Sequence, residues 1–304
     1  MLVDLLTGIR GVLRGIQVVM ITVFWGIPLF AVTLVKVVMP RRAWRDRCTD
    51  GVTWVASRWL EGILAACERT GPIRWELSGL EGLRLDARYM IISNHKSWVD
   101  IIAIERALYG HIPFIAFFLK QQLIWLPIVG QACWALDFPF MKRHSPEYLR
   151  KHPEARADDL ETTRRACRRF AHKPVSILNF VEGTRFTPAK QAHQGSPYRH
   201  LLKPKTGGIA FALTAMGNIF HAMLDVTVAY PERIPTMWDL LCGRVRHVVV
   251  HVRQRQVPAE FFTGDYLGDD DYRARFQAWV HNLWQEKDDL MERLLAANGA
   301  TAKQ

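Results

Sequence analysis

Cysteine is scarce in this chain and placed where most cysteine chemistry cannot use it. Cys48, Cys67, Cys133, Cys167 and Cys242 are odd in number and far apart, and no Cys-x-x-Cys occurs. That spacing supports neither a disulfide framework nor a zinc site. It fits scattered reduced thiols in a protein facing a reducing compartment. No metal site and no cofactor are expected. Also missing are a Gly-x-Ser-x-Gly elbow, a Walker A loop, a His-Glu-x-x-His pair and a Gly-x-Gly-x-x-Gly loop. Elbow hydrolases, P-loop NTPases, zinc peptidases and dinucleotide-binding enzymes therefore lose their signatures. No internal repeat is visible.

Acidic residues are in the minority. The 304 residues hold 40 Lys and Arg against 29 Asp and Glu, a formal net charge of +11. A balance of that size favours anionic partners: nucleic acid, an anionic membrane surface or phosphorylated substrates. The 11 Trp and 15 Phe, set among basic residues, suit a membrane interface. With 49% hydrophobic and 23% charged residues the chain is globular, long enough for one sizeable core or two small domains.

Charge is absent altogether from Val18 to Val35, VVMITVFWGIPLFAVTLV, close to the shortest run that crosses a bilayer as a helix. Arg10 and Arg14 precede it; Lys36, Arg41, Arg42, Arg45 and Arg47 follow. The run is too long for a signal-peptide core and no Ala-x-Ala cleavage site follows, so it reads as an uncleaved anchor. The heavier positive flank places everything after residue 40 in the cytoplasm. Pro28 should kink a spanning helix, and basic flanks at both ends equally fit a hairpin or an interfacial helix in one leaflet. A second segment, Trp54 to Cys67, is amphipathic, with Arg58 and Glu61 among its apolar residues. It suits the interface or a buried core position. The expected organisation is an anchor over 1–70, with a hydrophobic helix over 16–39 and an amphipathic helix over 52–67, followed by a globular domain over 71–304.

Beyond residue 70 short β-like runs alternate with helical ones. Ile73 to Leu77, Tyr89 to Ser93, Pro113 to Phe117, Val175 to Val181, Val226 to Ala229 and Val248 to Val252 read as strands. Ile101 to Tyr109, Leu160 to Phe170 and Thr206 to Met216 read as helices. The alternation predicts an α/β fold, a sheet flanked by helices with ligands at the strand ends. A C-terminal amphipathic helix is expected over 270–297, with Phe276, Trp279, Val280, Leu283, Leu290, Met291 and Leu294 at helical spacing and Asp269, Asp270 and Asp271 at its positive end. Ala189 to Lys203 is polar, contains Gly195 and Pro197, and reads as a mobile loop.

After the strand YMIIS comes Asn94-His95-Lys96-Ser97-Trp98-Val99-Asp100 and then an apolar run. A strand-to-helix turn exposes His95 at a sheet end, with Ser97 or Asn94 capping the helix and Asp100 in its first turn. Helical side chains lean toward the N-terminus, so the Asp100 carboxylate can orient the imidazole while the other ring nitrogen takes a proton from an alcohol. The competing reading is a capping box, Ser97-x-x-Asp100, which needs no catalysis. With 11 His and 29 acidic residues the spacing arises about once by chance; His281 and Glu286 repeat it inside the C-terminal helix.

The strand VSILNFV ends in Glu182-Gly183-Thr184-Arg185. Such an ending offers backbone N–H groups and a guanidinium at the sheet edge, and Arg grips phosphate through two parallel bonds. Glu182 either holds that Arg or binds a substrate hydroxyl. Phe138-Pro139-Phe140-Met141-Lys142-Arg143 brings a second guanidinium. Each Arg by itself is equally read as a solvated surface charge.

In order and together, NHKSWVD, FPFMKR, FVEGTRF and VTVAYP resemble the four blocks of the glycerophospholipid acyltransferase family, which includes the 1-acylglycerol-3-phosphate acyltransferases. The similarity spans Tyr89 to Pro231. LKQQLIWLPIVGQACWALDFPFMKR and EGTRFT are especially similar to the lysocardiolipin-acyltransferase-like branch, including bacterial inner-membrane members. The resemblance implies an acyltransferase domain over 71–304, anchored in a bacterial inner membrane and facing the cytoplasm. It implies that His95, supported by Asp100, deprotonates the acceptor hydroxyl, which attacks an acyl-CoA or acyl-carrier-protein thioester directly. Arg143, Gly183, Thr184 and Arg185 would bind the acceptor phosphate, Glu182 would position the acceptor, and Lys120 would lie near the developing oxyanion. The acceptor implied first is 1-acylglycerol-3-phosphate, with lysocardiolipin or another lysophospholipid as the alternative. Partners are then the lysophospholipid, the acyl donor and the bilayer, with no nucleic acid. Val181 stands where the family usually has Pro, and Asp137 where Gly is common; both bear on substrate identity more than on activity. A membrane-anchored polyanion-binding protein is the non-enzymatic alternative.

Overall fold

The computed structural model describes residues 2–39, 41–117, 119–125, 129–136, 138, 140–141, 174–216, 219–266 and 268–299. The chain divides into two compact units. One comprises Met1–Gly71, Ala116–Lys173 and Leu241–Gly243; the other comprises Pro72–Ile115, Pro174–Leu240 and Arg244–Gln304.

The first unit is built on two long helices, α1 (Leu2–Val38) and α2 (Arg42–Glu68). Both are longer than the apolar runs at their centres. α1 continues through Pro28, since one proline removes one ladder bond and its neighbours maintain the helix on either side. Leu13, Met20, Phe24, Ile27 and Leu34 on α1 are exposed. Among the described residues, α1 is the one helix long and apolar enough to cross a membrane. The two helices meet where Trp59 Nε1 donates to Thr22 Oγ1 at 3.2 Å and Trp25 packs edge-on to Trp54. Gly62 lets Ile21 approach, since a β-carbon there would meet its Cγ2 at 3.0 Å. Lys36 is not a solvated flank charge. It is buried, and its ammonium donates to Ala135 O at 2.8 Å, at the end of the short helix α4 (Val129–Ala135). A cation there meets the carbonyl end of the helix dipole. Burial pushes the Cys67 and Cys133 thiols up to about 11, so both stay as inert thiols at neutral pH.

The second unit carries the sheet. Its strands are β1 (Arg74–Ser78), β2 (Arg88–Ser93), β6 (Val175–Phe180), β7 (Ala222–Ala229) and β8 (His247–Arg255). With β3 (Ile115–Phe117) they form a mixed six-stranded sheet in the order β1-β8-β7-β2-β6-β3. A separate two-stranded sheet pairs β4 (Leu119–Lys120) with β5 (Phe140–Met141). β2 lies parallel to β6 and β7 on either side, β1 lies parallel to β8, and the β7–β8 pair is antiparallel. Central parallel strands are covered on both faces and read as near-continuous apolar runs. All eight residues of β7 and the last five of β2 are buried. The strands expected from the sequence are all present, and β7 begins four residues before Val226. The helix expected over Leu160 to Phe170 lies outside the described residues.

Helices α3 (Val99–Leu108), α5 (Pro188–Gln194), α6 (Thr206–Met216), α7 (Met237–Leu241) and α8 (Asp270–Gly299) complete the described fold. α8 buries Phe276, Val280, Trp284, Lys287 and Met291 at helical spacing. Lys287 interrupts that apolar stripe, and it has partners. Its ammonium lies 2.5 Å from Asp225 Oδ1 on β7 and donates to Val226 O at 2.7 Å. Arg255 from β8 reaches the other Asp225 oxygen at 3.2 Å. Burial pushes the Lys287 pKa down while Asp225 opposes it.

The segment expected as a mobile loop is held in place. Thr187 caps α5 by accepting from Lys190 N–H, and Gly195 ends it at φ +53°, a left-handed cap that glycine adopts without strain. The chain from Ser196 to Lys203 is then pinned to α8. Asp288 accepts the N–H groups of Arg199 and His200 at 2.7 and 2.8 Å, and Trp284 Nε1 donates to Leu202 O. Tyr198, Leu201 and Leu202 are buried.

Breaking a buried ion pair by removing one partner strands the other. Lys287→Met should therefore lower the unfolding free energy by roughly 3 kcal/mol, read from the urea midpoint in detergent. An unchanged midpoint would show that Asp225 does not need the ammonium.

Candidate functional site

The parallel register aligns Ser93 of β2 with Phe180 of β6, and Val181 N–H donates to Ser93 O. The two strands therefore end side by side, and the two turns that follow them, Asn94–Trp98 and Val181–Phe186, are neighbours. Phe186 N–H donates to His95 O at 2.7 Å, joining the turns directly.

His95 Nδ1 lies 2.9 Å from Asp100 Oδ2. That oxygen also accepts the N–H groups of Lys96 at 2.6 Å and Ser97 at 2.8 Å, and Tyr230 O–H donates to Oδ1 at 2.6 Å. Backbone N–H groups only donate, so the carboxylate is the acceptor throughout and Nδ1 carries the proton. In the neutral ring Nε2 then keeps the lone pair. The Asp100 side chain is 0% exposed and that of His95 14%, so one end of the pair is sealed and the other is open. The imidazole stacks on Phe180, with ring centroids 4.0 Å apart. Its orientation is thus fixed by a hydrogen bond on one edge and a ring on one face.

Asp100 makes two sets of contacts. One oxygen closes the turn through two N–H groups and also holds the imidazole. The capping expected of its neighbours differs. Trp98 occupies the N-cap position with no side-chain hydrogen bond. Ser97 Oγ accepts Val99 N–H and donates to Pro235 O at 2.5 Å. Asn94 does not cap the helix. Its side-chain amide donates to Val228 O at 2.9 Å and accepts Val228 N–H at 3.0 Å, extending the β2–β7 ladder one step beyond the strand. Tyr230, whose hydroxyl completes the Asp100 shell, was not singled out beforehand; it lies in the quoted VTVAYP block just past β7. Burial and the adjacent Asp100 charge push its own pKa well up, which keeps it a donor.

The second turn is less open than its sequence suggested. Gly183 sits at φ +66° and its N–H donates to Phe180 O, so that N–H is not left at the sheet edge. Thr184 Oγ1 accepts from the Lys190 ammonium at 2.8 Å. The Arg185 guanidinium is exposed and lies over the Trp98 ring, 4.9 Å from its centroid. Glu182 does not hold it. Glu182 is fully buried, and neither carboxyl oxygen has a hydrogen-bond partner; the nearby Leu202 N–H favours its charge without a well-formed bond. Burial raises Glu182 to about 8, opposed first by the Lys96 charge. Lys96, whose ammonium lies over Phe186, is pushed down by burial and back up by Glu182 and Asp100. The turns thus present an imidazole oriented through Nδ1, an exposed guanidinium and a buried carboxyl whose pKa burial raises. That combination suits a phosphorylated alcohol. Arg143, Asp137 and the side chain of Lys120 lie outside the described residues.

A family model described as Acyltransferase matches residues 74–231. Lysocardiolipin acyltransferase 1 of Mus musculus is 27% identical over 253 residues, covering 78% of this chain and 62% of that protein. The 1-acyl-sn-glycerol-3-phosphate acyltransferase 2 of Arabidopsis thaliana is 27% identical over 226 residues, covering 69% of this chain and 52% of that protein. The human 1-acyl-sn-glycerol-3-phosphate acyltransferase delta is 28% identical over 216 residues, covering 67% and 52%. The chain thus spans 52% to 62% of the length of these relatives. The crystal structure of the 1-acyl-sn-glycerophosphate (LPA) acyltransferase PlsC from Thermotoga maritima is similar at TM-score 0.47 and 15% identity, covering 90% of this chain and 98% of that one.

A carboxyl raised by folding has a signed consequence. Unfolded, Glu182 titrates near the ordinary ~4.3; folded, near about 8. Between those values the folded protein holds a proton that the unfolded chain has lost, so stability falls as pH rises through the window. Buried Glu105 on α3, also raised to about 8, adds a slope of the same sign. Glu182→Gln should gain on the wild type in unfolding midpoint progressively between about pH 5 and pH 8. Parallel pH profiles for the two proteins would mean that Glu182 ionises as an ordinary carboxyl.

Proposed function

We propose, because the chain belongs to the acyltransferase family, that it moves a fatty acyl chain from an acyl-CoA or acyl-carrier-protein thioester to the free hydroxyl of 1-acylglycerol-3-phosphate. The observation that carries this reading is the His95 imidazole, oriented through Nδ1 by Asp100 and placed beside the Glu182–Arg185 turn. Nε2 takes the hydroxyl proton as the acceptor oxygen attacks the thioester carbonyl carbon. The Asp100 carboxylate stabilises the imidazolium that forms. As the tetrahedral intermediate collapses the C–S bond breaks, and the thiolate recovers the proton from Nε2. No covalent acyl-enzyme is needed. Arg185 binds the acceptor phosphate, and Glu182, in its acid form, donates a hydrogen bond to the acceptor. Arg143 is proposed as a second phosphate ligand and Lys120 as a group near the oxyanion. α1 attaches the protein to the cytoplasmic side of a bacterial inner membrane, where a lysolipid acceptor resides. A second reading, transfer to lysocardiolipin in lipid remodelling, is favoured by the similarity to lysocardiolipin acyltransferase 1.

Purified protein assayed against a panel of lysolipids, with both donor types, should transfer acyl groups, and His95→Ala should lose at least ~1000-fold in kcat while remaining folded and membrane-bound. Wild-type rates from a folded His95→Ala protein would defeat the mechanism. Tyr230→Phe removes one donor from a buried carboxylate and should lower kcat roughly tenfold to a hundredfold; an unchanged kcat would remove Tyr230 from the relay.

A further inference from the structure

Three cationic side chains gather on the turn after β6, and only Arg185 belongs to the turn itself. Lys190, from α5, donates to Thr184 Oγ1 at 2.8 Å and to Arg185 O at 3.0 Å, and so fixes the turn's shape. Lys205 comes from the start of the chain into α6. Its N–H donates to Val181 O at 2.8 Å, and its neighbours Pro204 and Thr206 are buried. This residue's backbone is therefore locked to the end of β6. Its side chain is exposed and folds back over the turn. A β-carbon at Gly183 would meet Lys205 Cδ at 2.9 Å, Nζ at 3.2 Å and Cε at 3.4 Å. The lysine stem lies across Gly183, and the glycine serves it as well as the positive φ. The turn's one acid, Glu182, points into the interior and does not neutralise the cluster.

Like charges held together at a surface favour an anion between them. We propose that Lys205 is a second acceptor-phosphate ligand beside Arg185, and that the pair selects a terminal phosphomonoester over a phosphodiester. A guanidinium grips two oxygens in a fixed fork, and an ammonium adds a point charge for a third. A phosphomonoester presents three terminal oxygens and close to two negative charges near neutral pH. A phosphodiester presents two such oxygens and one charge, which Arg185 satisfies alone. The inference rests on the acyltransferase reading above and narrows its acceptor to lysolipids with an unsubstituted phosphate.

The test is direct binding, measured in detergent on the His95→Ala protein so that no turnover intervenes. The ligands are 1-acylglycerol-3-phosphate and lysophosphatidylglycerol, a monoester and a diester. Lys205→Met should weaken monoester binding roughly tenfold to a hundredfold and diester binding less than about threefold. Lys205→Arg should restore most of the loss. Lys203→Gln removes the same charge from an exposed lysine whose N–H is bound to Gln194, and should change neither lipid by more than about twofold. Equal weakening of both lipids by Lys205→Met, no weakening, or an equal effect of Lys203→Gln overturns the proposal. The function is separately exposed. Lys205-dependent monoester binding without any thioester consumption by the His95 protein sinks the transfer reaction and keeps the site. Turnover with a Lys205-insensitive monoester Kd sinks the site and keeps the reaction. Binding of neither lipid defeats both.

Discussion

The site depends on one buried carboxylate that accepts from four donors. Asp100 takes two backbone N–H groups from the turn after β2, one hydroxyl from beyond β7, and the imidazole Nδ1. A charge at 0% exposure is tolerable only when its acceptor sites are filled. Filling them is also what ties the turn, the strand ends and the base into a single geometry. The carboxylate shapes its own loop, and the loop shape delivers the histidine to it. Remove the charge and the turn loses its bonds; remove the turn and the charge is stranded.

Around that centre lie further buried ionisable groups. Glu182 is buried without a hydrogen-bond partner, the charge of half-buried Lys96 acts on it, and Lys287 reaches up from α8 to Asp225, its charge also acting on Glu182. Unsatisfied buried carboxyls are rare in cores and collect where a ligand completes them. α8 contributes twice: Lys287 under the sheet, and Trp284 with Asp288 holding the chain that leads to Lys205. A helix that reads as plain core packing therefore also sets the position of groups at the turn.

Much of this was legible in the residues. The strands of the sheet, the exposed apolar helix and the His95–Asp100 pair follow from periodicity and from a strand-to-helix turn. What escaped is what depends on partners distant in sequence. Asn94 looked like a cap because Asn caps helices, and only the fold supplies Val228 as its partner. Ala189 to Lys203 looked mobile because its polarity was visible and Asp288 was not yet beside it. Yet Thr187-Pro188 and Gly195 are start and stop signals for a short helix, and they were there to be read. Holding Arg185 is one of the two roles the sequence offers Glu182, because the two are close in sequence, but the strand end sends one inward and the other out.

The central claim is that Asp100 holds the proton on His95 Nδ1 and leaves Nε2 bare for an alcohol. Nitrogen NMR of histidine-labelled protein in detergent tests it, with the His95 signal assigned by its loss in His95→Ala. The account predicts a neutral ring protonated at Nδ1, with the preference lost in Asp100→Asn. A ring protonated at Nε2 in the wild type, unchanged by Asp100→Asn, would contradict it.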